Sequence, residues 1–274
     1  MIKLSVVIIA FNEERNIGRC IDSVSEIADE VLVVDSGSTD ATKAICETKG
    51  ARVIEHAFEG HIEQKNYAAL QATYEWVLSL DADEALSPEL QNSIKEWLKG
   101  AENENHSNTP SPWERGRGVR PNGYTMNRLT NYCGHWVRYC GWYPDTKLRL
   151  FNRAFGAWGG TNPHDKYELH DKKAPTGFLK GDILHYSYYT VDEHYKQMTY
   201  FADIAAKASV AKGKKANSSN LIINPVAKFI RHFIVKLGFL DGKTGFTISR
   251  ISAWGTYLKY YKMLEIQRSG VRSQ

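Results

Sequence analysis

Three aspartates stand where short apolar runs end, and together they can do chemistry. Asp35 closes Glu30-Val31-Leu32-Val33-Val34, and Asp81 and Asp83 follow Trp76-Val77-Leu78-Ser79-Leu80. An Asp at a strand end can accept from a base N–H or a ribose hydroxyl. Two Asp at i, i+2 can hold a divalent cation and a sugar nucleotide together, because Mg2+ and Mn2+ take carboxylate oxygens alongside substrate phosphates and water. Any acidic loop can supply an isolated D-x-D. Its place directly after a buried strand is what gives Asp81-Ala82-Asp83 weight. Arg149, between Leu148 and Leu150, points out of a strand and can pair with a substrate phosphate or with a carboxylate. Trp136, Trp142 and Tyr143 can stack on sugar faces or pack in a core, with Trp142 the first candidate for stacking.

The elements that must position these residues are legible in the first hundred positions. Leu4 to Ala10 (LSVVIIA) is apolar on both faces, as a buried parallel strand should be. Asn12 reads as the cap of the next helix, with Glu13 and Glu14 in its first turn and Ile17, Cys20, Ile21 and Val24 on one face. Strand 30–35, a helix to about Lys49, strand 51–55, a helix over 62–73 and strand 76–80 follow. Ser87-Pro88-Glu89 reads as N-cap, Pro at N1 and an acidic first turn. The alternation predicts an α/β fold with a parallel, doubly wound sheet and ligands at the carboxyl ends of its strands, where Asp35, Asp81 and Asp83 lie.

Residues 100–122 are polar and rich in Pro, Gly, Asn and Ser, the composition of a mobile surface loop. Short strands and loops dense in Tyr, Trp, Arg and His run from Gly123 to about Tyr189. The last third is helical and basic. Asn224 as cap, Pro225 at N1 and Gly238 at C′ frame a stripe of Val226, Phe229, Ile230, Phe233, Ile234 and Leu237; a second stripe holds Ile248, Ile251, Tyr257, Leu258, Tyr261 and Leu264. Charge segregates: residues 207–274 carry 13 Lys and Arg against two acids, while residues 1–206 carry 22 against 29. An apolar face beside a cationic face is the pattern of a helix lying in a membrane interface, so the tail predicts an anionic lipid surface as partner rather than nucleic acid.

At 274 residues, 42% hydrophobic and 24% charged, the chain can bury a real core and is not disordered, collagen-like or coiled coil. No apolar run approaches the roughly 18 residues needed to span a bilayer. The N-terminus does not read as a secretory signal. Four cysteines without a C-x-x-C pair read as free thiols in a reducing cytosol. No P-loop, GxGxxG, HExxH or GxSxG motif occurs, which sets aside P-loop kinases, dinucleotide dehydrogenases, zincins and serine hydrolases.

Three motifs in order, Ser5-Val6-Val7-Ile8-Ile9-Ala10-Phe11-Asn12-Glu13-Glu14, Val33-Val34-Asp35-Ser36-Gly37-Ser38-Thr39-Asp40 and Leu80-Asp81-Ala82-Asp83-Glu84, resemble the family 2 glycosyltransferases. Gly141-Trp142-Tyr143-Pro144-Asp145, Lys147-Leu148-Arg149-Leu150-Phe151, His185-Tyr186-Ser187-Tyr188 and Gly238-Phe239-Leu240-Asp241-Gly242-Lys243-Thr244-Gly245 resemble the branch that adds sugars, often glucose, to lipopolysaccharide inner core. The resemblance implies a GT-A fold: a mostly parallel, Rossmann-like sheet flanked by helices over 1–205, with a loop at about 101–121 and a basic amphipathic helical region over 206–274. It implies an inverting mechanism, a UDP-sugar donor, and Mn2+ or Mg2+. Ala10, Asn12 and Asp35 would cradle base and ribose. Lys65 would face the base or diphosphate, and Asp81 the ribose or sugar. Asp83 would bind the metal, with His185 as a further ligand. Asp165, in Asn162-Pro163-His164-Asp165, would be the base where the branch tends to have His-Glu; Glu168 and Asp171 are the alternatives.

The resulting expectation is an enzyme that moves a hexose, glucose first, onto a lipid-linked saccharide. It would work in the cytoplasm, peripheral on the inner face of the bacterial cytoplasmic membrane. A nucleotidyltransferase, or a non-catalytic module binding nucleotide sugar or lipid, is the alternative. The first lacks its Gly-rich basic signature at Phe11-Asn12-Glu13-Glu14, and the intact aspartate set opposes the second.

Overall fold

A computed structural model describes residues 2–103, 121–161 and 164–270. Most of the expected loop at 101–121, and Asn162 and Pro163, lie outside the described residues. The chain divides into two compact units, Met1–Arg128 with Asp145–His185, and Leu129–Pro144 with Tyr186–Gln274.

In the first unit, β1 (Leu4–Ala10), β2 (Glu30–Asp35), β3 (Arg52–Glu55) and β4 (Trp76–Asp81) are parallel, in the order β3-β2-β1-β4. The helices between them are α1 (Ile17–Asp22), α2 (Thr42–Thr48) and α3 (His61–Gln71). β1 shows why its sequence, Ser5 excepted, is apolar on both faces. Leu4, Val6, Ile8 and Ala10 enter one core with Ile17, Cys20, Ile21, Cys46 and Leu80, while Val7 enters a second core with Ala68 and Ala69 of α3. Helices cover both faces, so neither row of side chains needs to be polar.

The expected α/β class with flanking helices is observed, and the sheet is mixed. β5 (Glu84–Leu86) and α4 (Pro88–Asn103) follow β4, then β6 (Gly123–Tyr132), β7 (His135–Val137), β8 (Asp145–Asn152), β9 (Gly156–Thr161), β10 (His164–Leu169) and β11 (Thr176–Tyr188). β8 runs antiparallel to β4 and β6, and β5 antiparallel to β11; β9 and β10 form a separate hairpin. Antiparallel partners need no crossover helix, which fits the absence of helical periodicity in this stretch. Ser87 Oγ accepts from Leu90 N at 3.2 Å, the expected cap of α4.

Asn12 does not cap α1. That helix starts at Ile17, and Asn12 instead sits at φ +53°, a turn conformation Asn tolerates well.

The second unit is mostly α5 (Val191–Ala211), α6 (Asn220–Ile230) and α7 (Gly242–Ser269), and α5 spans the boundary expected at 206. A Thr190–Glu193 capping box starts α5. Pro225 lies inside α6, which begins at Asn220. Trp142 packs with Tyr132, Tyr188 and His194 at ring distances of 6.0, 6.1 and 5.8 Å, as part of an aromatic core. Burial lowers the His194 pKa to about 4, so its imidazole is neutral in that core.

Candidate active site

The strand ends of β1 and β2 form one knot. Asp35 is fully buried; one carboxylate oxygen accepts from the Gly37 and Ser38 amides at 2.9 and 2.8 Å, and the other accepts from Ser38 Oγ at 2.5 Å. Asn12 Oδ1 accepts from Thr39 N at 2.8 Å, Asn12 N donates to Ser38 Oγ at 2.8 Å, and Ser36 N donates to the Ala10 carbonyl at 2.9 Å. The structure therefore brings Ala10, Asn12 and Asp35 together, with the Asp35 carboxylate spent on shaping the loop. Gln64 of α3 ties in by donating to Ser36 Oγ at 3.0 Å.

β4 delivers Asp81 into a second cluster, built as a chain of alternating charges. Lys65 Nζ of α3 lies 2.7 Å from Asp165 Oδ2 and 2.9 Å from Asp81 Oδ1. Arg149 Nη2 lies 3.0 Å from Asp81 Oδ2 and 3.0 Å from Glu84 Oε1. Arg128 joins Glu84 at 3.4 Å to Asp145 at 2.8 Å, and Lys147 closes on Asp145 at 2.9 Å. The antiparallel register of β8 on β4 puts Arg149 beside the end of β4. Burial alone would raise the Asp81 pKa, but Lys65 and Arg149 outweigh it and hold the carboxyl well below the usual range. Burial opposes the Arg149 charge in turn, and Glu84 and Asp81 more than restore it.

Part of this cluster lines a cavity of about 460 Å3, with Lys65, Asp81, Arg149, Trp158, Asp165 and Tyr167 on its wall. The β9–β10 hairpin that carries Asp165 is hooked to α3. Asn66 Nδ2 donates to the Trp158 carbonyl and its Oδ1 accepts from Trp158 N, both at 2.9 Å. Lys65 Nζ sits 4.6 Å from the Trp158 ring centroid, and Tyr167 stacks on Phe151 at 3.5 Å.

Of the three base candidates, Asp165 is the one in this cavity. Glu168 is half-buried and paired with Lys166, outside the cavity wall, and Asp171 accepts from Lys173 N in the turn after β10.

Asp83 and His185 meet at the edge of this cluster, Nε2 to Oδ2 at 3.1 Å. The pairing of β11 with β5 sets His185 opposite Glu84 and so beside the D-x-D, 102 residues earlier in the chain. Among the described residues no three His, Cys, Asp or Glu side chains form a ready metal cage. The carboxylate fits Mn2+ or Mg2+ that draws its other ligands from a diphosphate and water, and the imidazole beside it favours Mn2+ over the harder Mg2+.

Sequence reasoning missed Glu84, Arg128 and Trp158. Glu84 is buried, accepts from Asp81 N at 2.9 Å, and holds both arginines. Nothing in its spacing signals the arginines, because they lie 44 and 65 residues away.

A family model described as glycosyl transferase family 2 matches residues 5–157. An uncharacterized glycosyltransferase of Rickettsia typhi is 32% identical over 272 residues, covering 97% of this chain and 88% of its own length. The lipopolysaccharide core biosynthesis glycosyltransferase LpsC of Rhizobium meliloti is 26% identical, with 94% and 93% coverage. Glucosyl-3-phosphoglycerate synthase of Mycobacterium tuberculosis, solved with Mn2+, UDP and glucosyl-3-phosphoglycerate, is 27% identical with a TM-score of 0.34, over 47% of this chain and 44% of that one. With its D-x-D at the end of a parallel strand, the chain belongs to glycosyl transferase family 2.

Proposed function

We propose that this glycosyltransferase moves a hexose, glucose as the first candidate, from a UDP-sugar to a lipid-linked saccharide such as lipopolysaccharide core, with inversion. Its place would be the cytoplasmic side, at the inner face of the bacterial cytoplasmic membrane. The observation that carries the reading is the Lys65 ammonium, which holds Asp81 of the D-x-D and Asp165 of the hairpin against one cavity, 2.9 and 2.7 Å away. LpsC, by its name, acts in lipopolysaccharide core biosynthesis, which supports the acceptor class.

In this reading Asp165 takes the proton of the acceptor hydroxyl as that oxygen attacks the anomeric carbon. The new C–O bond forms in line with the one that breaks, and UDP departs with the bonding pair. The loop knot of Ala10, Asn12 and Asp35 shapes the base and ribose site. Lys65 and Arg149 hold Asp81 at the sugar. Asp83 and His185 would bind the divalent cation, whose chemistry is to neutralise charge on the departing diphosphate.

Calorimetric titration of UDP and of GDP, each with and without Mn2+, tests the donor site. Manganese-dependent, UDP-selective binding is expected, followed by turnover of one member of a UDP-hexose panel. A folded sample that binds neither nucleotide overturns the reading.

A further inference from the structure

The basic C-terminal stretch in the second unit supplies none of the residues given a role in transfer above. α6 continues through a π turn (Arg231–Val235) and a 3-10 turn (Gly238–Asp241) before α7. An aromatic knot fixes this segment: Phe229 and Phe233 each meet Phe246 at 5.8 Å, and Phe233 meets Phe239 at 6.3 Å.

With those rings engaged, another ridge is left bare. Ile222, Val226, Ile230 and Ile234 recur every four residues and are 48–69% exposed, with Ile223 and Val235 beside them at 61% and 66%. Leu237, Phe239 and Leu240 extend the surface at 45–53%. Single exposed apolar side chains are ordinary; nine within residues 222–240 form a surface that needs a partner.

The charge around the ridge has one sign. No Asp or Glu occurs between Asp203 and Asp241, while seven Lys and Arg do, including Lys228, Arg231 and Lys236 on the segment itself. His232 reports the field: burial first, then Lys228, Arg231 and Lys236, lower its pKa to about 4. A second copy of the chain would bring the same positive field and be repelled. An anionic bilayer offers phosphates to the cations and acyl chains to the ridge.

We propose that α6 and the two turns after it form a wedge that inserts into one leaflet of an anionic phospholipid membrane. Among the described residues no helix is long and apolar enough to cross a membrane, so the wedge lies in the interface and does not span.

Flotation of the full chain with phosphatidylcholine vesicles, with and without phosphatidylglycerol, tests this. Binding to the anionic vesicles is expected, and it should partly survive high salt because the ridge is buried in lipid. Ile223→Ser/Ile230→Ser/Ile234→Ser should weaken it by at least about tenfold, and Lys228→Gln/Arg231→Gln/Lys236→Gln by a similar factor. Unchanged circular dichroism and urea unfolding would show that both variants stay folded. Wild-type protein that ignores anionic vesicles, variants that bind like wild type, or a wild-type dimer in light scattering that the isoleucine variant splits would each overturn the wedge. No sugar enters the assay, so its failure leaves the transfer reading standing, and the reverse holds too.

Discussion

Lys65→Met isolates the cation that joins the two halves of the site. The Lys65 side chain is 4% exposed, and its partners Asp81 and Asp165 are 25% and 12% exposed. Methionine keeps most of the buried stem and removes only the charge. Breaking a buried pair by deleting one partner costs about 3–5 kcal/mol. Water reaching the two partly exposed carboxylates reduces that, and Arg149 still holds Asp81, so the expected loss at pH 7 is about 2–3 kcal/mol. The sign with pH is fixed by Asp81. Its folded pKa is depressed below the unfolded value, so its stabilisation is complete above the unfolded pKa of about 3.9 and fades as pH falls through the folded value. Urea unfolding read by circular dichroism should therefore show a gap between wild type and variant that is flat from neutral pH down to about pH 5 and closes below about pH 4. A loss under about 0.5 kcal/mol at pH 7, or a gap that persists unchanged in acid, would refute the bridging role.

Two further substitutions separate chemistry from positioning. Asp165→Asn should leave manganese-dependent UDP binding intact and cut transfer by about 10²–10⁴-fold, measured by UDP release; full transfer would return Glu168 and Asp171 to contention. Asn66→Ala removes both hydrogen bonds to Trp158, at about 1–2 kcal/mol, and should speed amide exchange in β9 and β10 and lower turnover while UDP binding holds; unchanged exchange there would mean the hairpin is held by its aromatic packing alone.

The parallel half of the sheet was legible because burial on both faces leaves an apolar run such as Val6–Ala10. The D-x-D was legible as a strand end for the same reason. The antiparallel half was not. β8 pairs with β4 from about 70 residues away, and nothing local in Asp145–Asn152 names its partner. Asn12 misled because Asn suits a helix cap and a positive-φ turn equally, and only its partner, Thr39 N, decides. The stripe read in the tail ran Phe229 and Phe233 together with Ile230 and Ile234. The structure parts them: the phenylalanines engage Phe246 and the isoleucines face outward. A hydrophobic period marks apolar positions but not which of them a neighbouring element will cover.

The two aspartates of the D-x-D are the same residue type in unlike surroundings, and that difference separates what their substitution should do. Asp81 is held by Lys65 and Arg149, both buried, so its charge serves to neutralise theirs. Among the described residues Asp83 has no lysine or arginine partner and faces the His185 imidazole. A carboxylate committed to two buried cations is poorly placed to exchange them for a metal; one beside a single imidazole can take a cation with the imidazole as its second ligand. Asp81→Asn should therefore act on the fold, losing about 3 kcal/mol because Lys65 and Arg149 lose a counter-charge. Asp83→Asn should leave urea unfolding near wild type and abolish the manganese dependence of UDP binding. If Asp83→Asn instead destabilises the protein and keeps that dependence, while Asp81→Asn loses it, the roles are the reverse of those the surroundings assign.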